Sequence, residues 1–245
     1  MQPLTEEFIE QCPVEHGFRI RGLAMTRIEV FVDAAFAFAV TMLVISIDQI
    51  PRSIPELLGI SKHIPAFLLS VAQLVLIWHS HSVWSRRFGL EDTRTVVLSV
   101  SLLAIVLIYV YPLKMMFEGL FAWLTLGYLP SQFKLSSYEE LKQLFYYFSI
   151  GFACISLIFM ALYQHAKKMA TQLRLSPQEI YQSETAIVVN QAMAAVCLAN
   201  MVLVYFTQGH WVPFTGFVYM LIWPLVARIE RRRHRQWVAS QATTG

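Results

Sequence analysis

Charge is what this sequence has least of. Only 14% of its 245 residues are Asp, Glu, Lys or Arg, against 56% hydrophobic residues and a mean hydropathy of +0.52. A soluble domain carries about a quarter charged residues, so this composition excludes one and describes an integral membrane protein. No polar stretch is long enough to add a separate soluble domain. Catalytic signatures are missing as well. There is no GxSxG, HExxH, Walker loop or GxGxxG turn, so no nucleophile, metal or phosphate chemistry is indicated and an enzyme is not expected. No cofactor and no resident metal are implied. His79 and His81 stand two apart, about 200° around a helix, which prevents chelation of one ion. They read as one packed and one boundary histidine. Cys12, Cys154 and Cys197 form no CxxC pair, and the last two lie inside apolar runs as small buried hydrophobes. The net charge of +3 is scattered between apolar spans, which argues against nucleic acid as a partner. Residues 1–15 hold four glutamates and neither a basic start nor an apolar run, so a cleavable signal peptide is not expected.

What is present is a series of six apolar runs. They cover about Val30–Ile47, Ile64–Trp84, Thr95–Phe117, Leu144–Tyr163, Ala186–Phe206 and Trp211–Ala227. Each is apolar nearly all round, as a helix in lipid must be. The expected fold is all-α, one six-helix transmembrane domain over residues 1–245, with a polar tail at 1–20 and a basic tail at 229–245. Leu4, Phe8 and Cys12 share helical spacing, so the first tail reads either as a short amphipathic helix or as disordered. The stretch Glu118–Pro130 reads as an interfacial helix or loop beyond Pro112. Of the 19 Lys and Arg residues, fourteen fall before the first span, between spans two and three, between four and five, and after six. Arg52, Lys62, Lys114, Lys134 and Lys142 fall on the other side. This bias places both termini in the cytoplasm. The arginine run after span six reads as a charged stop at the inner leaflet or as a lipid-binding patch.

The first span, RIEVFVDAAFAFAVTMLVISID from Arg27 to Asp48, is the most informative. Asp33 inside an apolar run costs about 2.5–3.5 kcal/mol on insertion scales, so it faces protein or water. With Thr41 near the middle and Asp48 at the outer end, the helix reads as the wall of a polar path. Phe38, Met42, Ile45 and Gln49 follow i, i+4, i+7, i+11 and share one face. Thr41 and Asp48 flank it. Asp33, Ala37, Val40 and Val44 form a second stripe, and Ala34, Ala35, Ala37 and Ala39 allow close helix approach. Spacing alone is also satisfied by ordinary packing of Phe38 and Met42. Asp33 reads either as a structural carboxylate paired with Arg27 or as a proton-relay group.

These residues resemble the first-span signature of the transmembrane protein 175 family, the lysosomal and prokaryotic potassium channels, whose prokaryotic pattern runs RxxxFSD and then GVFAIAITLLVLxI. Arg27, Phe31 and Asp33 match in register, as do Phe36, Ala37, Ala39, Thr41, Leu43 and Val44. FLLSVAQLVLIWHSH carries the family's W-x-x-H as Trp78 and His81, and LIYVYP places Pro112 where the family has a proline. The resemblance implies a homotetramer in the cell inner membrane, each first helix lining a central pore without a TVGYG filter. It implies a hydrophobic constriction at Phe38, Met42 and Ile45 and a selectivity ring at Thr41. It also implies a structural cluster of Arg27, Phe31, Asp33, Trp78 and His81. Asp48 would concentrate cations at the outer vestibule. Potassium, weakly preferred over sodium, is then the permeant ion, and the partners are the bilayer and other copies of the chain.

The match has departures. Val32 stands where the family has serine, Ala34 replaces a glycine, Phe38 an isoleucine or leucine, and Met42 a leucine. Four phenyl rings around an axis fill more space than four aliphatic chains. Alternatives are therefore a non-conducting membrane scaffold of the same family, or a secondary transporter or proton-leak pathway. The two halves of the chain do not repeat, which gives an inverted-repeat transporter little support.

Overall fold

A short polar residue followed three positions later by glutamate starts each of four helices. In the computed structural model, which describes residues 4–45 and 51–242, the Thr26 backbone N–H donates to Glu29 Oε2 at 2.8 Å and Glu29 N–H to Thr26 Oγ1 at 3.2 Å. That reciprocal capping box opens α2 (Arg27–Ile45). Ser53 caps the short α3 (Ile54–Ser61), and Ser137 caps α6 (Tyr138–Lys168). Ser176 with Glu179 forms a second capping box, at α8 (Pro177–Phe206). The other elements are α1 (Glu6–Gln11), strands β1 (Val14–Glu15) and β2 (Phe18–Arg19), α4 (Ile64–Phe88), α5 (Thr93–Leu124), α7 (Ala170–Leu173), a 3₁₀ helix (Gly209–Leu221) and α9 (Ile222–Ala242).

Among the described residues six helical segments are long and apolar enough to cross a membrane: α2, α4, α5, α6, α8 and the continuous rod Gly209–Ala242. With 32 residues, α5 spans about 48 Å at ~1.5 Å per residue, more than the ~30 Å hydrocarbon layer, so its ends project into polar surroundings. The last span meets the layer differently. Its first 13 residues are 3₁₀, and at ~2.0 Å per residue they cover about 26 Å. The apolar residues are thereby stretched across most of the layer before the arginines of α9 begin.

The helices pack as α2 on α4 and α5, α5 on α6, α6 on α8, and α8 on the 3₁₀ segment and α9. α2 lies at one edge and α9 at the other. One apolar core runs through them, including Val32, Phe36, Ala39 and Leu43 of α2, Leu74 and Trp84 of α4, Tyr109 and Leu113 of α5, and Phe159 and Leu162 of α6.

The structure revises several expected boundaries. α5 continues through Pro112 and Glu118 to Leu124, so the start of the Glu118–Pro130 stretch completes the third span rather than forming a separate interfacial piece. The helix tolerates Glu118 because the protein buries and partners it: Oε2 accepts from the Gln132 N–H at 3.0 Å, and Lys114 Nζ and His63 Nδ1 each lie 3.6 Å from Oε1. α3 is an unforeseen helix between the first two spans. The basic segment after 229 is not a separate tail, since α9 carries it as helix to Ala242.

Residues 4–20 are likewise no loose tail but a folded layer. Between β1 and β2, His16 and Gly17 both take positive φ, 52° and 76°, as a two-residue type I′ hairpin turn requires. The hairpin drives Phe18 to zero exposure, edge-on to Phe88 at 5.3 Å and beneath the Arg87 guanidinium at 4.9 Å. Arg21 locks the layer down. Its Nε donates to Leu173 O at 2.8 Å. Nη1 donates to Arg19 O at 3.0 Å and Glu179 Oε1 at 2.9 Å, and Nη2 to Arg174 O at 3.3 Å and Glu179 Oε2 at 2.9 Å. All five guanidinium donors are thus used inside the protein, which is what makes a buried charge tolerable.

Candidate functional site

The first span separates its residues by face. Val32, Phe36, Ala39 and Leu43 are buried at i, i+4, i+7, i+11 against α4 and α5. Opposite them, Arg27, Phe31, Ala34, Phe38, Thr41 and Ile45 recur in alternating steps of four and three and are all exposed. Phe38 is 56% exposed and Ile45 69%. Met42 sits on the shoulder between the faces, half-buried and packed against the core. The structure thus aligns Phe38, Thr41 and Ile45 on one uncovered stripe and turns Met42 partly inward. Asp48, assigned to the outer mouth, lies outside the described residues.

Thr41 is the one polar side chain on the middle of that stripe. Its hydroxyl donates to the Ala37 carbonyl at 2.9 Å, the back-bond that polar residues make in an apolar helix. With the hydrogen committed there, the oxygen lone pairs are what the side chain offers to an approaching group.

Asp33 belongs to the second stripe. Its Oδ1 accepts from the Trp78 indole N–H at 2.7 Å, which ties α2 to α4. The two residues stand at one end of a crevice of about 280 Å³ lined also by Phe36, Ala37, Val40, Leu74 and Val75. The expected Arg27–Asp33 pair does not form: among the described residues no ion pair includes either group, and Arg27 is exposed. The reason is geometric. Six residues separate the two, nearly two turns, whereas an indole on the facing helix reaches the carboxylate directly.

The expected five-residue cluster is therefore divided. Asp33 and Trp78 meet. His81 is 2% exposed, and its Nε2 lies 3.0 Å from Ser99 Oγ, which joins α4 to α5 instead. Phe31 and Arg27 point away on the exposed stripe. Val32, in place of the family's serine, is wholly buried among apolar neighbours, where the loss of a hydroxyl leaves nothing unpaired.

Sequence reasoning missed the two polar clusters that hold the span ends: Arg21 with Glu179 at one end, and Lys114, Glu118 and His63 at the other. The second was signalled by an i, i+4 Lys–Glu pair inside an apolar run. The first joins residues 158 positions apart, and spacing carries no sign of it.

This architecture defines a helical multi-pass membrane protein of six spans whose first span leaves an apolar stripe, broken by one hydroxyl, uncovered by its own chain. The family profile described as endosomal/lysosomal potassium channel TMEM175 matches residues 27–112. A relative from Marivirga tractuosa named Potassium channel is 32% identical over 235 residues, covering 90% of this chain and 93% of the relative. A crystal structure of a variant of the potassium channel MtTMEM175, in complex with a nanobody–MBP fusion protein, matches with a TM-score of 0.78 and 30% identity. That match covers 91% of this chain and 99% of the other. The chain belongs to the TMEM175 family. Its family and relatives are described as potassium channels and not as enzymes.

Proposed function

We propose that the chain forms a potassium-conducting channel in which four copies of α2 surround a common axis. One observation carries this reading: the stripe Phe31, Ala34, Phe38, Thr41, Ile45 is uncovered by the rest of its own chain, in a protein similar over nearly its whole length to one named Potassium channel. Steps of three and four residues are those of a helix that meets its own copies along a seam. In this arrangement Phe38 and Ile45, with Met42 at the shoulder, form a hydrophobic constriction that conducts when wet and closes by drying. The Thr41 oxygens replace part of the ion's lost hydration. A ring of hydroxyls is a weaker and less numerous ligand set than stacked backbone carbonyls, so preference for potassium over sodium is modest. Asp48 concentrates cations at the outer mouth. On this reading the spans cross the cell's inner membrane, and the charge bias supports both termini facing the cytoplasm.

Potassium flux into proteoliposomes tests the constriction. Phe38→Ala is expected to raise flux markedly, because it removes the largest side chain from the seam; unchanged flux removes Phe38 from the path. The second reading, a non-conducting scaffold of the same family, is favoured by the bulk of Phe38. Absence of current in both the parent protein and Phe38→Ala would establish it.

A further inference from the structure

Away from the first span, the end of α6, the first half of α8 and the middle of α9 border a notch of about 490 Å³. Lys167, Lys168, Glu184, Ile187, Val188 and Arg233 line it. One carboxylate serves two cations: Lys167 Nζ lies 2.6 Å from Glu184 Oε1, and Arg233 Nη2 lies 3.2 Å from Oε2. No ion pair among the described residues includes Lys168, so the notch keeps a surplus of positive charge. Arg233 is held in place rather than trailing in solvent. Its Nε donates to Thr185 Oγ1 at 2.9 Å, and its guanidinium lies 4.6 Å from the centre of the Tyr181 ring. Tyr181 in turn donates its hydroxyl to the Arg233 carbonyl and stacks on Trp237 at 4.9 Å. α8 thus fixes the guanidinium of α9, with two lysines of α6 beside it and the apolar side chains of Ile187 and Val188 in the same notch. The notch lies where the charged start of α8 passes into its apolar run.

We propose that this notch binds an anionic phosphate group, carried by a phospholipid whose acyl chains run along Ile187 and Val188. A fixed guanidinium beside flexible ammonium groups suits phosphate oxygens, and basic pockets between membrane helices recognise anionic headgroups. Glu184 bridges Lys167 and Arg233 and weakens the positive field without cancelling it. The remaining arginines of α9, among them Arg228, Arg231, Arg232 and Arg235, are exposed on the same membrane side and draw anionic lipid toward the site.

The test uses the full-length protein in detergent micelles. The thermal unfolding midpoint is titrated with dioleoylphosphatidylglycerol, with zwitterionic dioleoylphosphatidylcholine, and with inorganic phosphate. The phosphatidylglycerol is expected to raise the midpoint at lower concentration than the zwitterionic lipid. Lys168→Gln, at an exposed position, should raise the half-saturating concentration about fivefold, the effect of losing one basic contact to an anionic lipid. Lys167→Gln with Lys168→Gln should abolish the difference between the lipids. The charge-matched control, Arg94→Gln with Lys134→Gln, at two exposed positions away from the notch, should keep it. If inorganic phosphate alone reproduces the stabilisation and competes with the lipid, the site is real and its ligand is the free anion. Equal phosphatidylglycerol stabilisation in the parent and the double-lysine variant would overturn the proposal, as would equal loss in the control.

Discussion

At the scale of single residues, the Asp33 carboxylate shows how a membrane helix keeps an acid without an ion pair. The Trp78 N–H is its direct partner, and a hydrogen bond to a charged group contributes about 1.5–3 kcal/mol. Trp78→Phe keeps most of the apolar bulk and removes the donor. It is expected to destabilise the purified protein by about that amount, read from denaturant or thermal unfolding in detergent. Asp33→Asn leaves a carbonyl acceptor for the indole, so its stability should fall less than that of Asp33→Ala. A well-folded Asp33→Asn protein with a shifted pH response of flux would make Asp33 a proton-relay group instead. The Thr41 hydroxyl hydrogen-bonds within its own helix and the residue is exposed. Thr41→Val should therefore leave the unfolding midpoint unchanged while lowering the potassium-to-sodium permeability ratio severalfold in proteoliposome flux; an unaltered ratio would leave Thr41 no selectivity role.

Between elements, long-range polar bonds decide how helix ends are tied. Arg21 and Glu179 are both nearly inaccessible, so removing one leaves the other charged and buried, at a cost of about 3–5 kcal/mol. Arg21→Met should lower the thermal midpoint accordingly and release residues 4–20 to protease, a result visible by limited proteolysis. The chain then passes so close to α4 that a Cβ at Gly22 would lie 2.9 Å from Ser85 O. Gly22→Ala must push the N-terminal layer away, and it should expose the same cleavage sites.

Between α5 and α6, Asp92 joins its own helix start to His165, with Nε2 2.9 Å from Oδ2. Burial raises the Asp92 carboxyl, but hydrogen bonds from Thr95 and His165 outweigh it and hold the group below its usual range. A carboxylate depressed on folding contributes stability above its unfolded value of about 3.9, and that stability is lost as pH falls through the folded value. Asp92→Asn should therefore lower the midpoint at pH 7, and the gap to the parent should close below about pH 4.

At the scale of the whole molecule, the first span has an edge position. Among the described elements α2 packs mainly on α4 and α5, and its outer stripe from Phe31 to Ile45 is apolar apart from Thr41. Placed on the axis of an assembly, that stripe gains partners without any change to the packing inside the protomer. Mass measurement in detergent is expected to give about four times 28.1 kDa. A cysteine at Ala34, exposed on the same stripe, should crosslink between copies with a short reagent; a monomer with no crosslink would end the axial arrangement. Orientation is tested separately. A cysteine at Arg94, on the side with fourteen basic residues, should resist impermeant labels in intact cells.

The sequence by itself determined the six spans and their all-helical nature and put Phe38 and Ile45 on one face of α2, while the structure added Phe31, Ala34 and Thr41 to that face and turned Met42 to its shoulder. A helix in lipid must satisfy its own backbone and be apolar around its circumference, so length and composition suffice to reveal it. Charge spacing in the chain could not decide partners. Arg27 looked like the counterion of Asp33 because the two are close in sequence, yet the carboxylate went to an indole on another helix. Arg21 and Glu179 carried no local sign of their pairing. Nor did the start of the chain reveal whether it would fold; Phe18 and Arg21 needed the ends of α4 and α8 before they had anything to bury against. Only tertiary structure decided these matters, because a buried polar group takes whichever donor the packing of neighbouring helices brings within reach, however distant in the chain.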